Sequence, residues 1–490
     1  MNRLFVLCAV IGFLLSYTAP AVASESAAAP DTSWMRIGTI EDGVLVVDRT
    51  LVVNAALKHN EMLAASGAMR DAADAEALGA LRGFLPQIQL GEYFMRSDDA
   101  LNVFGFKLQN RGVTPLDFGI TPTGFESHLI NQPGELNNFI TRVQLLQPIF
   151  NGGMGIYGKQ AANAMGRAAG YEHTRAEETI RFQAIQAFEG LTLATAYAEV
   201  MEAAVSSAEG HVRQARSMVD NEMATEADFL QAKVFLSTLQ QKLIEIRNMM
   251  AVAGENIKLL TAVNADLPLV TNSSPQQESD ELFTPDFVEN LDMGAVLYRS
   301  DLQAQREKAV AAGKMVGVAT GGLLPHVNLS IQKDWYDLEN LFGNNSNSWT
   351  LGVYATMGFG IQNVSEIKKA KAQRRAADYM VDFETRQARV QAKEALLDAK
   401  AAHEKVVVAR EAVEAARAGL KIVTNQYREG LISMVNLLDT QAYATQAEGN
   451  LVQALHDFSV GLANLEFAGA VNPAAAADKN NQATTAPKGQ

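Results

Sequence analysis

The stretch FNGGMGIYGKQAANA, residues 150–164, has the spacing of two phosphate-binding motifs. Gly153, Gly155 and Gly158 form a GxGxxG, and Gly153, Gly158 and Lys159 form a GxxxxGK. In a dinucleotide fold such glycines let the backbone approach a pyrophosphate, and in a P-loop the lysine contacts the phosphates. These spacings therefore raise the hypothesis of a nucleotide-dependent enzyme.

The surrounding sequence lacks the other parts of both motifs. A P-loop has Ser or Thr after its lysine to bind magnesium, whereas Gln160 stands there. A dinucleotide fold needs a second strand within about 30 residues, but the helical pattern continues to about residue 219. Because glycines tolerate the dihedral angles of a sharp bend, we expect Pro148, Gly152 and Gly153 to form a corner between a strand and a helix.

No other group of residues predicts catalysis or a cofactor. The seven histidines are scattered, with no pair four residues apart that would bind zinc from one helix face. The net charge of −14 argues against nucleic acid as a partner, because phosphate backbones need clustered lysine and arginine. We expect no enzymatic activity, no cofactor and no metal site.

The first 23 residues have the features of a secretory signal peptide. Arg3 precedes an apolar run from Leu4 to Tyr17, and Ala21-Val22-Ala23 forms a small-residue cleavage site. The run is too short for a membrane-spanning helix, which takes about 20 apolar residues. Cys8 is the only cysteine and lies in this segment, so the exported chain is expected to have no disulfide.

The rest of the chain carries one pattern twice. Apolar residues at alternating steps of three and four run from Ala198 to Val219 and again, 208 positions later, from Val406 to Tyr427. Such spacing is typical of a coiled-coil seam. At 1.5 Å per residue each long helix would reach about 100 Å. The two long helices and the two returning helices are expected over 153–219, 226–260, 363–427 and 434–467.

A period of two replaces the helical period before each long helix. Residues 326–335 alternate between polar and apolar except at Lys333, and alternate residues of 349–359 are apolar. The first copy has the same pattern more loosely. We therefore expect β-hairpins over 86–147 and 325–360. Strands of this length match the 9–11 residues or so that cross a bilayer at a tilt.

Four strands per chain are too few to close a membrane barrel. Outer-membrane barrels start at about eight strands, and open edges in lipid leave backbone groups unpaired. We therefore expect several copies to share one β-barrel. The second loop is flanked by Trp335, Tyr336 and Trp349. We expect these side chains in the aromatic girdle of the barrel, with the core of a soluble hairpin as the alternative.

The expected organisation has five parts. A proline-containing segment separates the two repeats, and the low-complexity end, PAAAADKNNQATTAPKGQ, is expected to be disordered. The signal peptide, first repeat, linker, second repeat and tail are expected over 1–23, 24–260, 261–290, 291–470 and 471–490.

These features resemble the TolC-like outer-membrane efflux proteins along nearly all of residues 46–467. The residues that carry the resemblance are ALKHN (56–60), LQPIFNGG (146–153), RSDLQAQ (299–305) and YREGLISMVNLLDTQ (427–441). The resemblance implies an α+β membrane protein that forms a homotrimer. Its 12-stranded outer-membrane β-barrel, with four strands per chain, would be continuous with a long periplasmic α-helical coiled-coil barrel.

The resemblance also implies the function and the partners. The chain would be the exit duct of a tripartite efflux system, located in the lipid of the bacterial outer membrane and extending into the periplasm. Its partners would be a periplasmic adaptor (membrane fusion) protein and an inner-membrane transporter. The first loop favours a transporter of the RND type, with an ABC transporter as the alternative. The outer-membrane component of a type I protein secretion system would have the same architecture and stays open.

By the same resemblance, the helix tips meet the adaptor and form the gate. Two family aspartates that ring the periplasmic gate fall on Asn436 and Asp439, so an amide replaces one carboxylate. Three converging Asp439 carboxylates would repel one another or collect cations; an exposed acidic helix end is the alternative. The family's gate arginine falls on Ile432, and Glu222 stands where a tip glycine is usual, which Gly430 keeps. The expected adaptor contacts are Asn221, Glu222, Met223, Ala224, Thr225, Gly430, Leu431, Ile432 and Ser433.

Overall fold

A computed structural model describes residues 33–271 and 294–469 of the chain. The signal peptide predicted over 1–23, the tail predicted over 471–490 and residues 272–290 of the predicted linker lie outside these ranges. Within the described residues, no helix combines the length and the apolar character needed to cross a membrane.

The first repeat opens with a small hairpin and two helices. Asn60 separates the two helices, and its side chain caps the second by accepting hydrogen bonds from the N–H groups of Met62 and Leu63. A 3₁₀ turn over Ala80–Gly83 then leads toward the main sheet. The elements are β1 (Gly38–Glu41), β2 (Val44–Val47), α1 (Arg49–His59) and α2 (Glu61–Gly79).

The first long hairpin has a folded connection between its strands. The Asp99 side chain caps the helix in this connection by accepting hydrogen bonds from the N–H groups of Leu101 and Asn102. The elements are β3 (Gln87–Ser97), α3 (Ala100–Gln109), β4 (Ile120–Thr121), β5 (Gly124–Phe125), α4 (His128–Asn131) and β6 (Leu136–Asn151).

A long helix and a returning helix complete the first repeat. Helix α5 (Met154–Asp220) has 67 residues, and α6 (Glu226–Thr261) packs beside it. The following strand β7 (Leu269–Thr271) pairs in parallel with β2. The linker predicted over 261–290 therefore contains a short strand at these three residues. Leu269 is buried against the small sheet, and burial of its side chain explains why this segment is extended.

The second repeat has the same order of elements with a shorter connection between its strands. They are α7 (Ser300–Gly321), β8 (His326–Asp337), β9 (Ser346–Thr356), α8 (Ile361–Arg428) and α9 (Met434–Phe467). Strand β9 lies three residues earlier than the alternation over 349–359 suggests. Its pairing with β8 begins at Ser346, opposite Tyr336, so cross-strand pairing and not the apolar pattern sets its ends.

The main sheet and the long helices are arranged in matching order. The sheet order is β3–β6–β8–β9, with all neighbours antiparallel. Below it, α5 packs against α2, α6, α7 and α9, and α8 packs against α7 and α9. The edge strands β3 and β9 therefore stand above the outer helices α2 and α8.

The helix seams contain many small side chains. A Cβ at Gly461 of α9 would lie 3.4 Å from the Cα of Ala399 in α8. Small residues at three- and four-residue steps let two backbones approach closely along their length. The α8 seam includes Ala388, Ala392, Ala395, Ala399 and Ala402.

Candidate functional site

The glycine-rich stretch lies in the corner between β6 and α5. Gly152 and Gly153 have φ values of +64° and +80°, in the left-handed region that favours glycine. A Cβ at Gly152 would lie 2.2 Å from the carbonyl oxygen of Gly321. Strand β6 continues four residues beyond its predicted end at 147, and its register with β8 shifts between Pro148 and Phe150. A bulge accommodates a proline, which has no N–H to donate.

Lys159, the lysine of the GxxxxGK pattern, is bonded within the chain. Its Nζ donates to the carbonyl oxygen of Ala77 at 2.7 Å, in the last turn of α2, where carbonyls lack helical partners. The N–H of Gly155 donates to Asn151 Oδ1 at 3.2 Å, and the Asn151 amide donates to the carbonyl of Gly83 at 3.0 Å. These groups join α2 to the corner, which argues against a phosphate site.

One face of the main sheet is polar across all four strands. The pairing register aligns Gln89, Gln144, Gln332 and Thr350 in one row. Two residues further along each strand, the next row is Gly91, Arg142, Asp334 and Ser348. Because side chains alternate between faces, these rows lie on the same side of the sheet.

Arg142 and Asp334 connect the strands on this polar face. Arg142 Nε donates to Asp334 Oδ1 at 2.9 Å, and its Nη2 donates to Oδ2 at 3.2 Å. The Tyr336 hydroxyl donates to Asp334 Oδ2 at 3.2 Å and lies 3.0 Å from Ser348 Oγ on β9. The Arg142 guanidinium also lies 5.2 Å from the ring centre of Tyr93 on β3. This network was not predicted, although the alternation of β8 marks Asp334 as a member of its polar face.

The opposite face of the sheet is largely apolar and exposed. One of its rows contains Ile88, Leu145, Ile331 and Leu351. Trp349 is 71% exposed on this face.

The predicted aromatic girdle is only partly compatible with this arrangement. Trp335 lies on the apolar face in the row of Asn347. Tyr336 is buried on the polar face, so its assignment to an outward-facing girdle is wrong. The physical reason is the two-residue period, which turns consecutive side chains to opposite faces.

The two tips of the chain pack together through an apolar cluster, here called the tip cluster. Ala224 and Ile432, two of the predicted adaptor contacts, pack against its edge. The other predicted contacts are exposed: Asn221, Glu222, Met223, Thr225, Gly430, Leu431 and Ser433. The buried members of the tip cluster come from all four long and returning helices: Ala215, Met218, Ala232, Tyr427, Met434, Leu437 and Leu438.

The two predicted gate residues lie on the exposed side of α9. Asn436 and Asp439 are exposed, whereas Leu437 and Leu438 between them are buried in the tip cluster. The backbone carbonyl of Asn436 accepts a hydrogen bond from Thr440 Oγ1 at 2.7 Å. One chain brings a single Asp439 to this level, so converging carboxylates require further copies.

A buried polar group joins α5 to α9 close to the tips. Ser207 Oγ donates to Gln441 Oε1 at 2.8 Å, and His211 Nε2 lies 3.4 Å from the same oxygen. Burial lowers the pKa of His211, and the hydrogen bond with Gln441 opposes this only in part. In the sequence alone, this histidine is one of a scattered set. Among the residues described, no group of three or more His, Cys, Asp or Glu side chains is placed to hold a metal ion.

Arg299 and Asp301, from RSDLQAQ, connect the start of α7 to its neighbours. Arg299 Nη2 donates to Asp301 Oδ2 at 2.6 Å, and its Nη1 donates to Gln391 Oε1 of α8 at 3.0 Å. Burial alone would raise the pKa of Asp301, but the hydrogen bond from Arg299 and the charges of Arg299 and Arg175 outweigh it and lower that pKa. Arg175 itself stacks 3.8 Å above the ring of Phe467.

Comparison with known proteins relates this arrangement to outer-membrane channels. Residues 295–469 match the family model of the outer membrane efflux protein. No curated protein sequence matches the chain significantly.

Several solved structures resemble the chain along nearly its whole length. The chain is similar to the outer-membrane channel OprN, with a TM-score of 0.69 and 18% identity over 93% of this chain and 99% of that one. CusC, which forms a transmembrane channel, gives a TM-score of 0.72 and 14% identity over 92% and 98% of the two chains. The Campylobacter jejuni CmeC outer membrane channel gives 0.70 and 16% over 94% and 97%. The chain thus has the fold of TolC-like outer-membrane channels, and most of its second repeat matches the model of the outer membrane efflux protein family.

Proposed function

We propose that copies of this chain assemble into a passive duct through which an efflux system exports its substrates across the periplasm and the outer membrane. The observation that carries the proposal is the two-faced main sheet. Its apolar face suits lipid, and its polar face suits a water-filled lumen, as in membrane barrels. Strands β3, β8 and β9, of 11, 12 and 11 residues, have the length that crosses a bilayer at a tilt.

The edges of the sheet support assembly with further copies. Within residues 33–271 and 294–469, strands β3 and β9 each have a neighbour on one side only. In lipid, each unpaired backbone group costs several kcal/mol. We infer that β9 of one copy pairs with β3 of the next, and that three copies close a barrel of twelve strands.

Helices α8 and α6 also present apolar surfaces for a second copy. On α8, an exposed stripe lies on the side opposite to the buried alanines: Tyr379, Phe383, Val390, Leu397 and Val408. Its members recur at steps of 4, 7, 7 and 11 residues, which keeps them on one face of the helix. On α6, exposed apolar residues include Leu230, Val234, Ile244, Val252 and Leu259. Each of these helices already packs one apolar side within the chain. A second, exposed apolar side favours contact with the helices of further copies in a ring.

Conductance tests the proposal directly. Purified protein in detergent should be oligomeric and should form ion-conducting channels when added to a planar lipid bilayer. Protein that stays monomeric and soluble without detergent, or that gives no conductance at any concentration, would overturn the proposal. This assay requires no knowledge of the natural substrate.

We further propose that Asp439, beside Asn436, forms an acidic ring at the periplasmic end of the duct. Copies around a common axis would bring their Asp439 carboxylates together and favour cations over anions. Asp439→Ala should reduce cation preference and change the conductance. Glu41→Ala, which removes an exposed carboxylate in β1, is the matched control. Equal behaviour of the Asp439 variant, the control and the unchanged protein would contradict this assignment.

We also propose that the exposed tips contact a periplasmic adaptor that links the duct to an inner-membrane pump. Met223 and Leu431 are 66% and 67% exposed beside the tip cluster, which favours contact with another protein. A photo-crosslinking amino acid at either position should capture the adaptor in intact cells. The same amino acid at Met69, 71% exposed on α2, is the control. Identification of the captured complex separates a proton-driven efflux pump from an ABC exporter of proteins.

A further inference from the structure

The order of helices and strands leaves α2 and α8 at opposite ends of one row. Helix α2 leads into the edge strand β3, and α8 follows the edge strand β9. Between them, α5 and α7 stand below β6 and β8 and pack against each other. Closing this row into a ring of identical copies places α8 of one copy against α2 of the next.

The first turns of α8 carry an exposed basic face. Lys368, Lys371 and Arg375 are exposed, and none of the three forms an ion pair within residues 33–271 and 294–469. At about 100° per residue, they lie about 100–160° around the helix from Ala370. Ala370 is buried on α8, so the basic face points away from the chain's own helix row.

The facing side of α2 combines small residues with flanking carboxylates. Ala77 of α2 is buried. On the opposite side of the helix, four small residues are exposed: Ala68, Ala72, Ala75 and Gly79. All four lie within about 40° of that direction at 100° per residue. Asp71 and Glu76 are exposed on either side of this strip, and Asp71 accepts a hydrogen bond from the exposed Arg70 guanidinium through one carboxylate oxygen only. A strip without large side chains leaves room for the aliphatic stems of lysine and arginine.

The basic and acidic residues lie at the same distance below the sheet. Hydrogen bonds tie Asn151 to Gly83 and Asn363 to Gly322, and Gly152 abuts Gly321, so Gly83 and Asn363 mark a common level. From that level, Lys371 and Arg375 lie about 12 and 18 Å down, and Glu76 and Asp71 about 12 and 20 Å down. Rotation about a ring axis leaves these heights unchanged.

The internal repeat provides the matching contact inside one chain. Arg167 of α5 lies 208 positions before Arg375 of α8, the repeat spacing of the long helices. Arg167 Nη2 donates to Glu307 Oε2 of α7 at 2.7 Å. Helix α7 holds the position in the second repeat that α2 holds in the first, so the same type of ion pair is available between copies.

We propose that Lys371 and Arg375 pair with Glu76 and Asp71 of a neighbouring copy, forming a charged seam just below the membrane-spanning sheet. This seam rests on the proposed ring of identical subunits and names one of its contact surfaces. Lys368 extends the basic face toward the sheet. The seam joins α8 and α2, whereas the apolar stripe of α8 continues the contact further from the membrane.

Cysteine crosslinking tests whether these surfaces meet. The only natural cysteine is Cys8, so the double variant Ala75→Cys with Lys371→Cys introduces a defined pair. Oxidation with copper–phenanthroline in membranes should yield covalently linked multimers on non-reducing gels, and each single variant should yield none of the ring-sized product. Absence of linked multimers from a double variant that is oligomeric and conducting would overturn the seam while leaving the duct intact.

Charge reversal tests whether the seam is ionic. Lys371→Glu with Arg375→Glu should lower the temperature at which the oligomer dissociates in detergent, and adding Asp71→Lys with Glu76→Lys should restore most of the loss. High salt should reduce the difference, because exposed charges are screened. Lys369→Glu, on another side of the same turn, should have little effect. Failure of the combined variant to recover, or an equal loss for Lys369→Glu, would refute the ionic pairing.

Discussion

Glu222 and Gly430 occupy the same position at the ends of the two long helices, with φ values of +58° and +73°. Their N–H groups donate to the carbonyls of Val219 and Tyr427 at 3.0 and 2.9 Å. In each tip the next N–H donates to the carbonyl five residues back, at 2.8 and 2.9 Å. Both helices therefore end in the same left-handed turn, but only the second has the glycine that this turn favours.

Replacing Glu222 by glycine should stabilise the first tip. A left-handed conformation costs a residue with a Cβ about 1–2 kcal/mol relative to glycine. Glu222→Gly should slow cleavage at this tip by a non-specific protease, and Gly430→Glu, the mirror change, should speed cleavage at the second tip. Unchanged rates in both variants would show that the backbone conformation does not limit the stability of the tips.

Removing Arg142 should destabilise the main sheet. Asp334 is 4% exposed, and without Arg142 its charge would keep only the neutral donors Tyr336 and Gln332, which costs about 1–3 kcal/mol. Arg142→Met should lower the temperature at which the folded protein is lost in heat-modifiability gels. Lys333→Met is the control. Lys333 lies on the opposite face of the sheet, and its hydrogen bond to Asn347 is exposed to solvent. A similar loss in both variants would contradict a special role for the Arg142–Asp334 pair.

His211 should make the packing of α5 against α9 sensitive to acid. Because its pKa is lowered in the folded chain, the unfolded chain binds more protons below about pH 6.5, and stability falls as the pH drops from there toward the folded pKa. His211→Gln should therefore reduce the loss in melting temperature between pH 7.5 and 5.5, by roughly 2 °C or more.

The control for this measurement is His128→Gln. The His128 side chain is 63% exposed in the first loop, so its replacement should leave the pH dependence unchanged. A pH dependence that is identical in the unchanged protein and the His211 variant would show that acid acts through other groups.

Replacing Arg175 by lysine should weaken the join between α5 and the end of α9. Arg175 stacks on the ring of Phe467 and donates to the Phe467 carbonyl at 3.0 Å. Lysine keeps the charge but not the planar group, so we expect a loss of about 1 kcal/mol or more. Hydrogen exchange in the last turns of α9 should become faster. Arg213→Lys, at an exposed pair with Glu209, should leave exchange unchanged, and equal exchange in both variants would exclude the stacking effect.

Much of the helical architecture was readable from local periodicity. The long helix expected over 153–219 spans Met154–Asp220, and its repeat expected over 363–427 spans Ile361–Arg428. A seam of apolar residues over many turns is a strong signal, since every turn repeats it. The tip at Gly430 was marked by its glycine, whereas the equivalent turn at Glu222 was found through the 208-residue repeat.

Non-local contacts were not readable in this way. Strand β7 pairs with β2 across more than 200 positions of sequence, and the bulge at Pro148 depends on the register with β8. Arg142 and Asp334 meet across two strands that belong to different repeats. No local pattern encodes such pairings, because strand register is decided by which faces are buried together.

The spacing of apolar residues along each element was enough to establish the internal repeat, the helix periods and the alternation of the strands. The tertiary structure alone decided that Lys159 bonds to Ala77, that Tyr336 turns to the polar face, and that α2 and α8 stand at the two ends of one helix row. Those outcomes depend on which distant segments come together, and that is set by packing between elements.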